Sequence, residues 1–147
     1  ALRLFWFMSQ LNIHYHENKF VYEVAEGADT AFKKGPKAGY RAPDTPVNST
    51  TLFDLLRTKP FHLLLFQSTK TSDDVYLSNL QILQSKYEDW VKIHCFTSSL
   101  PNKMLFQRYG VTSSAIYFIR PDGYIGFRLY GHDLPLLDNY LKKLFSK

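Results

Sequence analysis

The run FHLLLF, residues 61–66, is bounded by Pro60 on one side and by the polar stretch QSTKTSDD on the other. Its apolar residues follow one another without the alternation that a half-exposed strand shows. Such a run is typical of a strand covered on both faces, as in a parallel sheet. FHLLLF therefore predicts the first strand of an α/β sheet with helices on both sides.

The segments that follow alternate between helix and strand patterns. Asp73 or Asp74 can cap a helix with an apolar face, and Gly110 can close a second, shorter helix. Asp133 with Pro135 begins a last helix, and the tight turn RPDGY joins two antiparallel strands. The remaining predicted strands are VKIHCFT (91–97), SAIYFI (114–119) and IGFRLY (125–130). The order β-α-β-α-β-β-α from residue 60 onward predicts a thioredoxin-like core.

The residues before this core have a different pattern. The first ten or so residues show helical spacing of apolar side chains, and NIHYHENKFVYEV (12–24) indicates an extended arm. The stretch from Glu26 to Gly39 is polar and small, which is typical of a linker. We therefore expect residues 1–34 to be the helix, arm and linker at the tail of a preceding domain. Residues 35–147 are expected to form the thioredoxin-like domain.

Large apolar side chains lie in this N-terminal segment, at Phe5, Trp6, Phe20 and Tyr22. If the compact core does not cover them, they would favour association with a neighbouring surface. We expect an interface there, with a preceding domain or with a second copy of the chain. Removal of residues 1–34 is then expected to change the oligomeric state and to leave residues 39–147 folded.

The composition restricts the chemistry. The chain has 147 residues, a formal net charge of +5 and one cysteine, Cys95. One cysteine excludes an intramolecular disulfide, a CxxC redox pair and a multi-cysteine zinc site. The net charge is modest and the sequence has no long run of basic residues, so nucleic acid is not an expected partner. The apolar N-terminus is too short to span a bilayer, so a membrane is not an expected partner either. A cytoplasmic location is expected.

The positions that carry thiol chemistry in a thioredoxin-like enzyme hold other residues here. The segment directly after Phe66, QSTKTSDDVY (67–76), contains no cysteine, and GVTSSAIY (110–117) has no proline before the third strand. Cys95 lies inside an apolar strand pattern and is expected to be a buried core residue. His14 and His16 lack the neighbours that would complete a metal site, and His62 and His94 are interpreted as structural histidines. No catalytic, cofactor-binding or metal site is predicted.

Two stretches, GPKAGYRAPD (35–44) and IRPDGYIGFR (119–128), resemble parts of the C-terminal domain of FAD-dependent aromatic hydroxylases. These are the phenol-hydroxylase-like, or PHBH-type, flavoprotein monooxygenases. In that family a G-x-R-A-P-D segment leads into a thioredoxin-like domain, and an R-P-D-G-Y hairpin comes near its end. LNIHYHENKF (11–20) is similar to the tail of their substrate domain.

The resemblance implies a parent enzyme that uses FAD and NAD(P)H to insert oxygen into an aromatic ring. This chain lacks the GxGxxG fingerprint that would hold the flavin, so the resemblance implies a non-catalytic C-terminal domain that serves assembly. Arg41 and Asp44 are expected to pair with the core. The residues of the two motifs that are expected to have structural roles are Gly39, Arg41, Pro43, Asp44, Arg120, Pro121, Asp122, Gly123 and Arg128.

Two alternatives stay open at this point. The chain could be a free-standing, redox-inactive thioredoxin-like module that binds proteins, or a thiol enzyme that uses Cys95. The residues encoded before Ala1 separate the first alternative from the family interpretation, and the reactivity of the native thiol tests the second.

Overall fold

The computed structural model describes residues 21–57, 59–68 and 73–145. The predicted N-terminal helix, His14, His16 and the interface residues Phe5, Trp6 and Phe20 lie outside the described residues. The strands are β1 (Tyr22–Val24), β2 (Pro46–Val47), β3 (Thr50–Thr51), β4 (Phe61–Gln67), β5 (Val91–Thr97), β6 (Ser114–Ile119) and β7 (Ile125–Tyr130). The helices are α1 (Thr30–Lys34), α2 (Leu52–Leu55), α3 (Asp74–Tyr87), α4 (Lys103–Tyr109) and α5 (Leu134–Leu144), with a 3₁₀ turn at Leu100–Asn102. None of these helices has the length and apolar character needed to cross a bilayer.

The main sheet has five strands in the order β1-β7-β6-β4-β5. β4 runs parallel to β5 and antiparallel to β6, and β6 pairs antiparallel with β7. From β4 onward the elements follow the order β-α-β-α-β-β-α. This arrangement confirms the predicted thioredoxin-like core.

The side chains of β4 alternate between two hydrophobic clusters on opposite faces of the sheet. Phe61, Leu63 and Leu65 pack in the cluster that α3 and α5 cover. Leu64 and Phe66 pack in the second cluster, which includes side chains of α1 and α4. Every residue of FHLLLF is buried because helices cover this strand on both faces, which explains the missing alternation in the sequence.

The helix ends lie where the capping residues predict them. The Asp73 carboxylate accepts hydrogen bonds from two backbone N–H groups of α3, and Asp133 accepts one from α5. Gly110 ends α4 in the left-handed conformation, with φ of 69°. A Cβ at Gly110 would lie 2.4 Å from the carbonyl oxygen of Ala31, so this glycine also allows α4 to approach α1.

The segment from Glu26 to Gly39 is not a linker, which corrects the sequence-based expectation. It contains α1, whose Phe32 side chain is 1% exposed and packs in the core. The arm is also part of the sheet, because β1 pairs parallel with the edge of β7. The pattern was missed because a five-residue helix with one large apolar side chain has no visible periodicity. The domain boundary after residue 34 stays a prediction.

Cys95 is exposed, which corrects the expectation that it is a buried core residue. It lies near the end of β5, an edge strand of the sheet, whereas Val91 at the start of that strand is buried. The sequence of a strand does not say whether the strand is central or at an edge. Partial desolvation nevertheless raises the pKa of the Cys95 thiol, which opposes formation of a reactive thiolate.

Candidate functional site

The strand ends that carry the redox site in thioredoxin-like enzymes carry polar, uncharged side chains in this chain. Gln67, the last residue of β4, is the register partner of Thr97 in β5 and Ser114 in β6. Amide and hydroxyl groups at this edge cannot exchange disulfides, which requires a thiolate.

The two motifs that carry the family resemblance contact each other directly. The Gly39 N–H donates to the Ile125 carbonyl at 2.7 Å, and the Ile125 N–H donates back to the Tyr40 carbonyl at 2.9 Å. The Ala42 N–H donates to the Gly123 carbonyl at 2.8 Å. Residues 39–42 therefore run antiparallel to residues 123–125, and stretches about 80 residues apart in the sequence form one backbone unit.

The turn of the second motif is held by its own charged residues. Arg120 is 4% exposed, and its guanidinium lies 3.1 Å from the Asp122 carboxylate. Asp122 also accepts a hydrogen bond from the Tyr124 N–H at 3.1 Å. Pro121 and Gly123 complete the turn, and Gly123 has a φ of 85° that favours glycine. These residues of the motif therefore have structural roles in the turn.

Arg128 lies in β7, between β1 and β6, and is fully buried. Its Nη1 donates to Glu23 Oε2 at 3.1 Å, its Nε donates to the Tyr117 hydroxyl at 3.1 Å, and its Nη2 donates to the Phe32 carbonyl. The guanidinium carbon lies 3.5 Å from the centroid of the Phe32 ring. One side chain of β7 thus contacts β1, α1 and β6, and we call this group the Arg128 cluster (Arg128, Glu23, Phe32 and Tyr117).

Glu23 extends the Arg128 cluster to the first motif. Its second carboxylate oxygen accepts a hydrogen bond from the Ala38 N–H at 2.9 Å. The sequence analysis did not identify Glu23 or Phe32, because each is separated from Arg128 by about a hundred residues. No local pattern points to either residue, since both roles depend on the pairing of β1 with β7.

The remaining residues of the first motif have different environments. Asp44 Oδ1 accepts hydrogen bonds from the backbone N–H groups of Thr45 and Phe53, both at 2.9 Å. The Pro43 carbonyl accepts a hydrogen bond from the Tyr109 hydroxyl at 2.7 Å. Arg41 is exposed, and its guanidinium lies 5.9 Å from the centroid of the Tyr124 ring. Asp44 thus holds the start of α2, whereas the Arg41 side chain does not enter the core.

Tyr22 is the one predicted interface residue within the described part of the chain. Its ring is stacked on Phe127 with 5.9 Å between the centroids, and the residue is 48% exposed. Tyr40, which the sequence analysis did not select, is 61% exposed. Val21, which precedes Tyr22, lies 3.5 Å from the position that a Cβ on Gly39 would occupy, and Gly39 precedes Tyr40. The two tyrosines are therefore attached to neighbouring backbone segments.

His62 and His94 form a pair between β4 and β5. His62 Nδ1 lies 3.0 Å from His94 Nε2, and His62 Nε2 lies 2.7 Å from the Lys59 carbonyl. Burial lowers the pKa of His62, and burial together with the neighbouring His62 and Lys92 lowers the pKa of His94 to about 4. Both rings are therefore neutral at pH 7. In the described ranges no three His, Cys, Asp or Glu side chains cluster as a metal site would require.

No protein-family model and no curated protein matches the sequence. Among solved structures, a ternary complex of aklavinone-11 hydroxylase with FAD and aklavinone is similar over 76% of this chain and 22% of that chain, with 16% identity and a TM-score of 0.54. The flavin-dependent monooxygenase PieE is similar over 75% of this chain and 20% of that chain, with 17% identity and a TM-score of 0.50. A protein from Chlorobium tepidum assigned as the thiol:disulfide interchange protein DsbE is similar over 73% of this chain and 96% of that chain, with 15% identity and a TM-score of 0.55.

These likenesses have two consequences. The chain spans about a fifth of the length of the two flavin enzymes but nearly the whole length of the interchange protein. At identities this low they establish the fold alone. The chain has a thioredoxin-like fold, and a domain of this kind occurs both by itself and as part of flavin-dependent enzymes.

Proposed function

We propose that the chain is the non-catalytic C-terminal thioredoxin-like domain of an FAD-dependent, NAD(P)H-using aromatic-ring monooxygenase. Its role is assembly, through contacts with the preceding domains or with a second copy. The observation that carries this proposal is the backbone contact between GYRAPD (39–44) and the RPDGY turn. The two motifs that resemble the family form one structural unit, so the resemblance rests on residues that contact each other in the fold.

The solved structures add independent support. Two flavin-dependent enzymes contain a segment of this fold that amounts to about a fifth of their length. A segment of this share is compatible with one domain of a larger, multi-domain enzyme. In this proposal FAD and NAD(P)H are held by the preceding domains, because this chain has no strand followed by a GxGxxG turn.

The chemistry at the strand ends favours assembly over catalysis. Gln67, Thr97 and Ser114 offer neither a thiol nor a charged acid–base pair. Cys95 lies in an edge strand, and the raised pKa of its thiol disfavours nucleophilic attack at neutral pH. A thiol enzyme is therefore not proposed.

The experiment begins with the complete reading frame that encodes Ala1–Lys147. We expect it to encode a GxGxxG flavin domain upstream. Deletion of residues 21–147 from that protein, which removes β1 and α1 together with the rest of the described domain, should leave the flavin absorbance and change the oligomeric state, measured by light scattering. A frame without a flavin domain, or a deletion that leaves assembly unchanged, would contradict the proposal.

Point variants test the expected interface. Tyr22→Ser should weaken self-association or contact with the preceding domains, because it removes an exposed aromatic ring beside β7. Val75→Ser is the matched control, since Val75 is 69% exposed and lies on α3. Equal effects of the two substitutions in sedimentation experiments would argue against an interface at Tyr22.

A free-standing, redox-inactive module that binds proteins is the second candidate. It is favoured by the likeness to the interchange protein, 96% of which is covered by this chain. In an insulin-reduction assay with dithiothreitol, both candidates predict no acceleration above the uncatalysed rate. They differ in the reading frame, which under the second candidate starts near Ala1.

A further inference from the structure

β5 (Val91–Thr97) forms one edge of the main sheet. All seven of its residues pair with β4 in one continuous register, from Phe61 opposite Val91 to Gln67 opposite Thr97. Within the described ranges no strand pairs with its other side. The opposite edge of the sheet is β1, which has three residues. A long and regular edge strand is a template for pairing with another strand.

The backbone groups of β5 divide between its two sides. At its ends, the Trp90 carbonyl accepts an N–H of β4 at 3.2 Å, and the Ser98 N–H donates to a carbonyl of β4 at 3.0 Å. Alternate residues of a parallel strand bond to the same neighbour, so the residues between these ends that bond to β4 are Lys92, His94 and Phe96. The N–H and C=O groups of Ile93 and Cys95 therefore point to the open side. The outward carbonyl of Thr97 accepts a hydrogen bond from an asparagine side chain at 2.8 Å.

The side chains of β5 leave this edge accessible. Lys92 is the one charged residue of the strand, and it shares a face of the sheet with Phe96, away from α3. On the α3 face, Ile93 is half-buried and Cys95 is exposed. Apart from the lysine, β5 lacks the devices that keep edge strands apart, such as a proline, a bulge or a charge at its middle.

The helix beside this edge adds no charge to it. Lys86 of α3 forms an ion pair with Asp138 of α5, so that flank of α3 faces α5. The opposite flank, on the side of β5, carries three uncharged side chains: Leu77, Gln81 and Gln84. A second sheet approaching the edge would therefore bring two uncharged helix flanks toward each other.

We propose that β5 pairs antiparallel with β5 of a second copy, about a two-fold axis at His94, so that two five-stranded sheets become one continuous sheet. The inference names the partner and the surface of the assembly role, and it rests on that proposed function. The chain before Val21 enters the sheet at β1, the far edge, about 19 Å away over four strand spacings. That position favours a second copy over this segment as the occupant of the edge.

The backbone of β5 is complementary to itself in this register. An axis at His94 pairs all seven residues, with Val91 opposite Thr97 and Ile93 opposite Cys95 of the other copy. Ile93 and Cys95 both direct their backbone groups outward, so each such pair exchanges two hydrogen bonds, as closely spaced antiparallel pairs do.

Charge also selects this register. With the axis at His94, the two Lys92 Cα atoms lie about 14 Å apart, from a rise of about 3.3 Å over four residues and about 4.8 Å between strands. That separation exceeds the Debye length of about 8 Å at physiological ionic strength. An axis at Ile93 would bring the lysines to about 8 Å, and an axis at Cys95 would leave the first two residues of β5 unpaired.

Sedimentation velocity of the full chain tests the pairing. The wild-type chain should form a dimer whose fraction rises with concentration. Cys95→Pro removes an outward N–H that β4 does not use, and each dimer then loses two backbone hydrogen bonds. We expect its dissociation constant to rise by about tenfold or more. Cys95→Ala is the matched control, since it removes the same thiol but keeps the N–H, and it should dimerise like the wild type.

Cross-linking under mild oxidation tests the register. Two residues that face each other in a non-hydrogen-bonded pair have Cα atoms about 4.5 Å apart, which is within disulfide range. His94→Cys with Cys95→Ala should therefore become a covalent dimer on a non-reducing gel. The wild-type chain is the control, because its two Cys95 Cα atoms would lie about 8 Å apart, beyond the limit of about 7 Å for a disulfide.

Three results would overturn the inference. They are a wild-type chain that stays monomeric across the concentration series, equal dimerisation of Cys95→Pro and Cys95→Ala, and equal cross-linking of the wild type and the His94→Cys variant. Circular dichroism establishes that each variant is folded. If Cys95→Pro is not, Cys95→Glu replaces it, because it keeps the N–H and places two carboxylates near the axis. It should weaken the dimer at low salt, and an unchanged dimer would overturn the pairing.

The dimer and the parent enzyme are tested by different measurements. A chain that dimerises through β5 but is encoded without an upstream flavin domain would keep the pairing and reject the monooxygenase. A reading frame with a flavin domain whose Ala1–Lys147 chain is monomeric would keep the monooxygenase and reject the pairing.

Discussion

Arg128→Met should lower the free energy of unfolding of this chain by about 3–5 kcal/mol, because it breaks a buried ion pair. Methionine keeps the apolar stem but removes the guanidinium that contacts Glu23, Phe32 and Tyr117. The Glu23 side chain is 28% exposed, so its carboxylate would remain partly buried without its cation. An exposed pair would contribute only about 1 kcal/mol or less.

The size of this loss depends on the charge that is left behind. Glu23→Gln removes the carboxylate, so the double variant Arg128→Met with Glu23→Gln should be less destabilised than the two single losses together. We expect a coupling free energy of about 1–3 kcal/mol, which is typical of residues in one buried network. Arg128→Lys retains the charge but lacks the planar fork, and an intermediate loss is expected.

Urea unfolding followed by circular dichroism measures these differences, and amide hydrogen exchange locates them. The amides of Ala38 and Gly39 should lose protection in Arg128→Met before Leu64 of the central strand does, because the Arg128 cluster joins their segment to β7. A loss below about 1 kcal/mol, or strictly additive single and double variants, would refute the reasoning.

The Arg128 cluster also changes the expectation for the N-terminal segment. Removal of residues 1–34 takes away Glu23 and Phe32, and with them two contacts of the buried guanidinium. It also uncovers the edge of β7 that β1 occupies. We therefore expect the shortened chain to be destabilised, in contrast to the sequence-based prediction that residues 39–147 stay folded without this segment.

Three further predictions concern pH, glycine and an exposed arginine. Stability should fall as the pH drops from about 6.5 toward 4. Burial lowers the pKa of His94 from 6.5 to about 4 and also lowers the pKa of His62. The unfolded chain therefore binds protons at a higher pH than the folded chain does, which favours unfolding in this range. His94→Gln should flatten this acid limb in urea titrations, and an unchanged limb would refute the role of the pair. Gly110→Ala should lower the Tm more than Gly123→Ala, since both have positive φ but only at Gly110 does a Cβ meet backbone within 4 Å; equal losses would contradict the packing argument. Arg41→Ala should change the free energy of unfolding by less than about 1 kcal/mol, because its exposed side chain contacts a tyrosine ring; a larger loss in urea unfolding would show a core contact.

The parts of the fold that depend on local pattern were predictable. FHLLLF indicated a strand covered on both faces, and Asp73, Gly110 and Asp133 marked helix ends through capping chemistry that acts within a few residues. The prediction that the strand ends carry no thiol chemistry was also based on local sequence, because it depended only on the identity of the residues after Phe66. These features depend on neighbours in the sequence.

The environments of Cys95 and of the segment that contains Phe32 were predicted wrongly, and for one physical reason. Each depends on which surface covers the residue, and that is decided by the order of the strands. Cys95 is exposed because β5 is an edge strand, and Phe32 is buried because α1 packs on the sheet beside α4. The segment around Cys95 has the sequence pattern of a core strand, and the segment around Phe32 has the composition of a linker.

The sequence by itself determined the order of strands and helices from residue 60 onward, the caps and the lack of a redox cysteine, because these depend on spacing and residue type. Only the tertiary structure decided that GYRAPD (39–44) and the RPDGY turn form one unit and that Glu23 neutralises Arg128. These contacts join residues some 80 to 105 positions apart. Such pairs have no periodicity to reveal them, since the folded sheet and the helices on its faces bring them together.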